Sequence, residues 1–114
     1  MSFRRGDVII VAGGAGFAGK PRPAVIVQDD VFAELSTVVT LLFTTQEGGD
    51  PILRPEYSPS PENGLREPSR LMVHAPTTVR LSDVGGKIGQ MTAGEMAEID
   101  EKLLLLLGFA RSRA

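Results

Sequence analysis

The glycine-rich segment 13–23, GGAGFAGKPRP, contains two spacings that are used to bind phosphate. Residues 14–20 fit G-x-x-x-x-G-K, and residues 14–19 fit G-x-G-x-x-G. Loops of both kinds lead into a helix whose N-terminal N–H groups hold the phosphates, and the first kind also ends in a Ser or Thr that binds magnesium. Here Pro21 follows Lys20, and the next residues, AVIVQ, are typical of a strand. The segment is therefore interpreted as a loop that joins two strands, and a nucleotide site is rejected.

The composition is that of one small domain. The chain has 114 residues, of which 42 % are hydrophobic and 23 % charged, as in ordinary globular proteins. It has no cysteine, which excludes disulfides, thiolate metal ligands and a thiol nucleophile. Its apolar runs are shorter than the roughly 20 residues that span a bilayer, and the first is too short for a signal peptide. We expect a single cytoplasmic domain over residues 1–114.

The charge distribution is uneven, although the formal net charge is only −2. Most of the acidic residues of the C-terminal end are Glu95, Glu98, Asp100 and Glu101. The basic residues considered for a local positive surface lie elsewhere: Arg4, Arg5, Lys20, Arg22, Arg54, Arg66 and Arg70. Nucleic-acid-binding domains usually carry a clear basic excess, so a strong overall field is excluded while a local basic face stays possible.

Short apolar, β-branched runs predict six strands, and a change of period predicts one helix. The predicted strands are DVIIVA (7–12), PAVIVQ (23–28), STVVTLLF (36–43), PILRP (51–55), SRLMVHA (69–75) and GGKIGQM (85–91). The stretch 56–68 is rich in Pro, Ser, Asn and Gly and predicts a surface loop. Many short strands followed by one helix indicate an α+β domain, a small barrel or a tightly curled sheet.

The C-terminal helix has clear start and stop signals. Thr92 and Glu95 form a Thr-x-x-Glu capping box, and Gly108 is a suitable residue just beyond the end. Four residues share one apolar face: Met96, Ile99, Leu103 and Leu106. The unbroken apolar run 103–107 makes the last turn apolar all round, so that turn is either buried in the domain or covered by another chain.

Five segments, in order over nearly the whole chain, match the pattern of one protein family. RRGDVIIV resembles its opening strand, GKPRPAVIVQDDVF its G-x-R-P-A-V-V-V segment, and VTLLFTTQ its third strand with a final Thr-Thr or Thr-Ser. NGLREPSRLMVHAPTTV resembles N-G-L-x-x-x-S-x-[apolar]-x-V-D-x-x-x-T, and KIGQMTAGEMAEIDEKLLLLLGF resembles the closing segment and helix. On these segments the chain resembles the MazF/PemK toxins, endoribonucleases of type II toxin–antitoxin systems.

The resemblance implies an SH3-like β-barrel of the CcdB/PemK type with a C-terminal α-helix, assembled as a homodimer. It also implies a metal-independent mRNA interferase that needs no cofactor, cleaves single-stranded RNA and is blocked by a cognate MazE-like antitoxin. In that reaction the 2′-hydroxyl attacks the adjacent phosphate and leaves a 2′,3′-cyclic phosphate and a 5′-hydroxyl.

The resemblance also points to individual residues. Arg22 matches the catalytic arginine of the R-P-A-V segment, and its planar guanidinium suits a phosphate. Thr44 matches the active-site threonine, and its hydroxyl could bond a phosphate oxygen. Thr45 and Gln46 would lie beside it as RNA contacts, and Lys20 would be a further RNA contact.

The proton-transfer groups have more than one candidate. His74, the one histidine, stands where many relatives carry Asp, and an imidazole can act as acid or base at neutral pH. Thr77 and Thr78 follow it as RNA contacts. Many relatives carry Glu five residues before the arginine, where this chain has Phe17, which could instead stack on a base. Either His74 is the base, or Arg22 and substrate contacts carry the step, or the protein is a weak nuclease.

Two other functions remain open at this point. A CcdB-like toxin on the same fold binds gyrase without catalysis, but it relies on a Trp near the C-terminus, and this chain has no Trp. A catalytically weakened member would act through antitoxin binding.

Overall fold

The computed structural model describes residues 3–12 and 20–109. Within these ranges the chain forms seven strands and one α-helix. They are β1 (Asp7–Val11), β2 (Arg22–Ile26), β3 (Thr37–Thr44), β4 (Glu56–Tyr57), β5 (Ser69–Leu71), β6 (Thr77–Arg80), β7 (Val84–Gln90) and α1 (Ala93–Leu106). Five of the six predicted strands correspond to β1, β2, β3, β5 and β7, with ends displaced by at most four residues.

The predicted strand at 51–55 is wrong, because Asp50 closes this segment into a turn. Its carboxylate accepts the N–H of Ile52 at 2.8 Å, and its carbonyl accepts the N–H of Arg54 at 2.8 Å. The predicted strand at 69–75 also stops early, since β5 ends at Leu71 and a turn follows. The pattern missed β6 because only Val79 of its four residues is buried.

The strands form one antiparallel sheet in the order β4-β5-β3-β2-β1-β7. The long strand β3 organises this sheet: one edge pairs with β2, and the other edge is shared by β6 along 37–40 and β5 along 43–44. Because β6 leads into β7 through a short 3₁₀ turn, the sheet is bent back on itself. This curled antiparallel sheet with one C-terminal helix confirms the predicted α+β class.

Both faces of the sheet are buried. On one face, residues of β1, β2 and β3 pack with helix residues Met96 and Ile99. On the other face, alternate residues of the same strands pack with Val79 of β6 inside the curl. Burial on both faces explains why these strands are continuous apolar runs in the sequence and not alternating apolar and polar residues.

The opening RRGD segment has a structural role. Asp7 is buried, accepts the N–H of Arg4 at 2.8 Å and pairs with Nζ of Lys87 at 3.1 Å. Arg5 forms an ion pair with Asp100 on α1, which ties the chain start to the helix. Gly6 has a φ of +92°, and its carbonyl accepts the N–H of Met91 at 2.8 Å.

The helix follows its sequence signals. The Thr92 hydroxyl accepts the N–H of Glu95 at 3.1 Å, and the Glu95 carboxylate accepts the N–H of Thr92 at 2.8 Å, which confirms the capping box. Its last turn is exposed: Leu105 is 53 % and Leu107 60 % accessible. Burial of this turn within the chain is therefore wrong, and cover by another chain stays a prediction. No helix in the described ranges has the length and apolarity needed to cross a membrane.

The loop before β5 lies directly against β7. A Cβ on Gly89 would come within 2.3 Å of the Asn63 carbonyl, and one on Gly64 would come within 2.1 Å of the Ile88 carbonyl oxygen. Asn63 is fully enclosed: its side-chain oxygen accepts the N–H groups of Ser60 and Leu65, at 3.0 and 2.9 Å. The loop is thus held at a fixed distance from the sheet.

Tyr57, the last residue of β4, is half-buried against the core. Its ring meets Phe43 edge to face, with centroids 6.3 Å apart and planes at 87°. Its hydroxyl is buried without a hydrogen-bond partner among the described residues. Burial, with smaller contributions from the charges of Glu98 and Glu95, raises the pKa of Tyr57 to about 12.

We expect Gly89→Ala to lower the free energy of unfolding by about 1–3 kcal/mol, because the new methyl group meets backbone atoms that have no room to move. Gly85→Ala, on the same strand, is the control, since the nearest atom to its Cβ would be 3.6 Å away. Urea denaturation followed by circular dichroism measures both. Equal stability of the two variants would contradict the close packing of the loop on β7.

Because Tyr57 is the chain's one tyrosine, absorbance at 295 nm should titrate it alone, with a midpoint well above the ordinary value of about 10. The folded state holds this proton more tightly than the unfolded state, so its contribution to stability is present below pH 10 and is lost between about 10 and 12. Tyr57→Phe should remove this part of the alkaline loss. A midpoint near 10 while the protein is folded would show that the hydroxyl is solvated.

Candidate active site

The pairing of β2 with β3 brings Arg22 and Thr44 together. Ala24 lies opposite Leu42 in this antiparallel ladder. Extending the register by two residues places Arg22 opposite Thr44 and on the same face of the sheet, because side chains alternate along a strand. Directly opposed residues of this kind have Cβ atoms about 5 Å apart. The two predicted catalytic residues are therefore neighbours, although 21 residues separate them in the chain.

Both residues line one open groove of about 850 Å³. Its polar lining comes from the start of β2, the end of β3 and the segment before β5: Lys20, Arg22, Thr44, Thr45, Arg66, Glu67 and Ser69. Apolar side chains, among them Ile10, Phe43 and Ile88, line the rest. The groove is open to solvent and is not an enclosed cavity.

Arg22 is positioned by its backbone and keeps its guanidinium available. It lies between Pro21 and Pro23, which restrict the backbone, and it pairs with Val11 of β1. The side chain is half-buried. Within the described ranges it forms no ion pair with a carboxylate and donates no side-chain hydrogen bond. An arginine held in this way can offer its planar fork to an incoming phosphate.

Thr44 is held at the last position of β3. It is buried, with 6 % of its surface accessible, and its backbone pairs with Arg70 of β5. Its hydroxyl oxygen accepts the N–H of Gln46 at 3.2 Å, which fixes the side-chain rotamer. The hydroxyl proton remains available to donate to an oxygen in the groove.

Arg54 supports the turn behind Thr44. Its Nη2 donates to the Gln46 carbonyl at 3.0 Å, so the residue that bonds the Thr44 hydroxyl is itself held from the other side. The Arg54 side chain passes over Gly49, where an added Cβ would lie 2.3 Å from Cδ of the arginine. A glycine at position 49 therefore permits both the φ of +85° and the close approach of the Arg54 side chain.

The groove carries more positive than negative charge, in a chain that is acidic as a whole. Three cations line it, namely Lys20, Arg22 and Arg66, against one carboxylate, Glu67, among the described residues. The local basic face considered from the sequence is present, but with fewer members. Arg5 pairs instead with Asp100, and Arg70 pairs with Glu56 at 3.3 Å.

The other predicted site residues are divided by position. Lys20 and Thr45 line the groove, and Gln46 stands behind it through its backbone. His74 is exposed in the turn after β5 and is not among the lining residues.

Thr77 and Thr78 also lie away from the groove, on β6. They pair with Thr40 and Val39, so Thr77 lies four residues along β3 from Thr44. At about 3.4 Å per residue this is a separation of roughly 14 Å along the strand. Phe17 lies outside the described residues. Roles for His74, Thr77, Thr78 and Phe17 stay predictions.

Sequence reasoning considered Arg66 only for a local basic surface, and it missed Glu67 as a member of the site. Both stand in a segment that predicts a surface loop, and their residue types alone give no sign of a groove. Both residues lie within the N-G-L-x-x-x-S pattern of the family resemblance, which covers residues 63–69. That pattern is the feature of the sequence that could have pointed to them. Residues 3–12 and 20–109 contain no group of three or more His, Cys, Asp or Glu placed to hold a metal ion.

Comparison with known proteins gives one family. The model of the PemK-like, MazF-like toxins of type II toxin–antitoxin systems matches residues 4–107. This chain belongs to that family.

A curated relative supports the assignment. The chain is 38 % identical over 108 residues to a probable endoribonuclease MazF of Mycolicibacterium smegmatis, with 95 % of this chain and 99 % of the relative covered.

Solved structures of the family share the fold. An endoribonuclease in complex with its cognate antitoxin, from a mycobacterial species, has a TM-score of 0.76 and 21 % identity over 96 % of this chain and 99 % of that one. A MazE–MazF crystal structure from Deinococcus radiodurans has a TM-score of 0.74 and 17 % identity over 96 % and 99 % of the two chains. The predicted PemK-type fold is thereby confirmed.

We expect Gly49→Ala to loosen the turn that fixes the Thr44 hydroxyl, because the methyl group displaces Arg54 from the Gln46 carbonyl. Gly48→Ala is the matched control: its φ of +103° carries a similar backbone penalty, but nothing lies within 4 Å of its Cβ. Hydrogen exchange of the Gln46 amide, measured by NMR, should be faster in Gly49→Ala than in Gly48→Ala. Equal exchange in the two variants would show that Arg54 does not support this turn.

Proposed function

We propose that this PemK-like, MazF-like toxin cleaves single-stranded RNA in the groove between the start of β2 and the end of β3. The observation that carries the proposal is that Arg22 and Thr44 line one positively charged groove, with the guanidinium unpaired among the described residues. The name of the M. smegmatis relative, a probable endoribonuclease, supports the reaction class. The proposal also makes the cytoplasm, where mRNA is found, the site of action.

The chemistry follows from what these two side chains offer. The RNA supplies its own nucleophile: the 2′-oxygen attacks the adjacent phosphorus, a bond to phosphorus forms, and the bond to the 5′-oxygen breaks. Negative charge accumulates on the non-bridging oxygens in the transition state. Arg22 binds two of these oxygens through its fork, and the Thr44 hydroxyl donates to one, so both stabilise charge as it develops.

The exposed end of α1 favours a partner chain. Leu104, Leu105, Leu107 and Phe109 are all at least 46 % accessible, although they form one apolar surface. We propose that a second copy of the chain or a MazE-like antitoxin covers it. The two solved structures described above contain antitoxins, which supports the second partner for this family.

Gyrase binding without catalysis is the less favoured alternative. The chain lacks the Trp on which CcdB-like toxins rely. Its groove also has the cationic lining expected for a polyanion.

We expect the purified protein to cleave mixed-sequence single-stranded RNA in excess EDTA and to leave 2′,3′-cyclic phosphate ends. Arg22→Ala should lower kcat/KM by about 10²–10³, because one charged donor to the transition state is lost. Thr44→Val, which removes only the hydroxyl, should lower it as well. End-group analysis by mass spectrometry and gel assays of a defined oligonucleotide measure these changes.

Arg80→Ala is the matched control, since Arg80 is exposed and pairs with Asp83 at 3.1 Å outside the groove. A 2′-deoxy substitution at the mapped cleavage position should abolish the reaction. Intact RNA together with blocked gyrase supercoiling would contradict the proposal and favour the alternative. Activity that disappears in EDTA would contradict the metal-independent reaction.

A further inference from the structure

We propose that Glu67 is the general base that removes the proton from the attacking 2′-hydroxyl. The inference rests on the proposed function and deepens it, since Arg22 and Thr44 stabilise charge but neither is suited to accept a proton. It is carried by the position of Glu67 in the groove and by the set of ionisable groups around that groove.

The groove offers one ordinary proton acceptor. The ionisable side chains that line it within the described residues are Lys20, Arg22, Arg66 and Glu67. The first three are cations at neutral pH and accept no proton. Residues 13–19, which precede Lys20, consist of Gly, Ala and Phe alone, so this segment contributes no ionisable side chain. Glu67 is therefore the one carboxylate among the described residues that line the groove.

Glu67 is held in place although its side chain is exposed. Its carbonyl accepts the hydroxyl of Ser69 at 2.9 Å, and Ser69 is buried as the first residue of β5. On its other side, Leu65 is buried in the core and donates its N–H to the Asn63 side-chain oxygen. The backbone at 66–67 is thus fixed at both ends, and the close contacts of Gly64 and Gly89 fix its distance from β7.

The carboxylate is available for chemistry. Glu67 forms no salt bridge with any residue in 3–12 or 20–109, whereas Glu56, nearby in sequence, is paired with Arg70 at 3.3 Å. The other charged side chains that line the groove are Lys20 and Arg22 from the start of β2 and Arg66 from the same segment as Glu67. The ends of β3, β5 and β7 present the uncharged Thr44, Thr45, Ser69 and Ile88. Bound RNA phosphate would partly neutralise the cations and leave the carboxylate beside the sugar.

The proposed step is balanced. The proton of the 2′-hydroxyl passes to the Glu67 carboxylate as the 2′-oxygen bonds to phosphorus and the bond to the 5′-oxygen breaks. The leaving 5′-oxygen takes a proton from water in the open groove, and the proton held by Glu67 neutralises the hydroxide that remains. The products are a 2′,3′-cyclic phosphate, a 5′-hydroxyl and the regenerated carboxylate.

The test compares Glu67→Gln with Glu62→Gln. Glu62 is an exposed carboxylate in the same loop, and it does not line the groove. Single-turnover cleavage of a defined oligonucleotide that contains one mapped site gives rate and binding separately. General bases contribute about 10²–10⁴-fold, so Glu67→Gln should lower the rate at saturating enzyme by about 100-fold or more, with binding changed less than threefold. Glu62→Gln should match the wild type.

The pH dependence separates a base from a structural residue. In the wild type the rate should fall on the acid side, because a general base must be unprotonated to act, and this limb should be absent in Glu67→Gln. His74→Asn should keep it. If His74→Asn removes the limb and Glu67→Gln keeps it, the assignment to Glu67 is overturned.

A substrate with sulfur in place of the 5′-bridging oxygen shows whether Glu67 acts as a general base or as a general acid. A thiolate leaves without protonation, so loss of a general acid would not slow cleavage of this substrate. The defect of Glu67→Gln should persist on this substrate. Recovery of the rate would overturn the base assignment.

If the wild type cleaves RNA, Arg22→Ala does not, and Glu67→Gln is fully active, this inference fails and the proposed function stands. If the wild type cleaves nothing, the proposed function fails first.

Discussion

The antiparallel pairing of β2 with β3 is the constraint on which the site depends. Its register, extended two residues beyond the Ala24–Leu42 pair, sets Arg22 opposite Thr44 at the strand ends, and both residues line the groove. A slip of one residue in this register would turn the guanidinium to the other face of the sheet. The register is protected because both faces are buried, so a slip would also move Ala24 and Val25 into each other's environments. The core therefore specifies the geometry of the site.

The second half of the site is positioned by glycines and an asparagine. Gly64 and Gly89 let two backbones approach more closely than any side chain would allow, and Asn63 substitutes for the backbone partners that the loop lacks. A loop fixed in this way can present exposed polar residues at a defined place. The same arrangement occurs behind Thr44, where Gly49 allows Arg54 to reach the Gln46 carbonyl. In both places, residues that do not line the groove hold the backbone of those that do.

The sequence allowed the fold class and half of the site to be predicted, for physical reasons. Strands buried on both faces are strong apolar signals, and the capping box at Thr92 and Glu95 marks the helix start by a local hydrogen-bond pattern. The segment at 51–55 was misjudged because its apolar residues follow Asp50, whose cap forms the turn. The strand β6 was missed because its pairing with β3 is a tertiary contact, which a TTVR sequence does not reveal. Arg22 and Thr44 were identified through family resemblance, whereas Glu67 needed coordinates, because nothing local links a loop carboxylate to a groove.

The separation of charge resolves the apparent conflict between an acidic chain and a polyanionic substrate. No residue of α1 lines the groove among those described, so the acidic stretch between 95 and 101 is placed on a different part of the molecule. One of its carboxylates, Asp100, is also engaged with Arg5. The field that a phosphate meets at the groove is then set by Lys20, Arg22 and Arg66, since screening at physiological ionic strength limits charges to a range of about 8 Å. Net charge describes the whole surface, but binding responds to the local charges, and in this fold three cationic side chains line one groove.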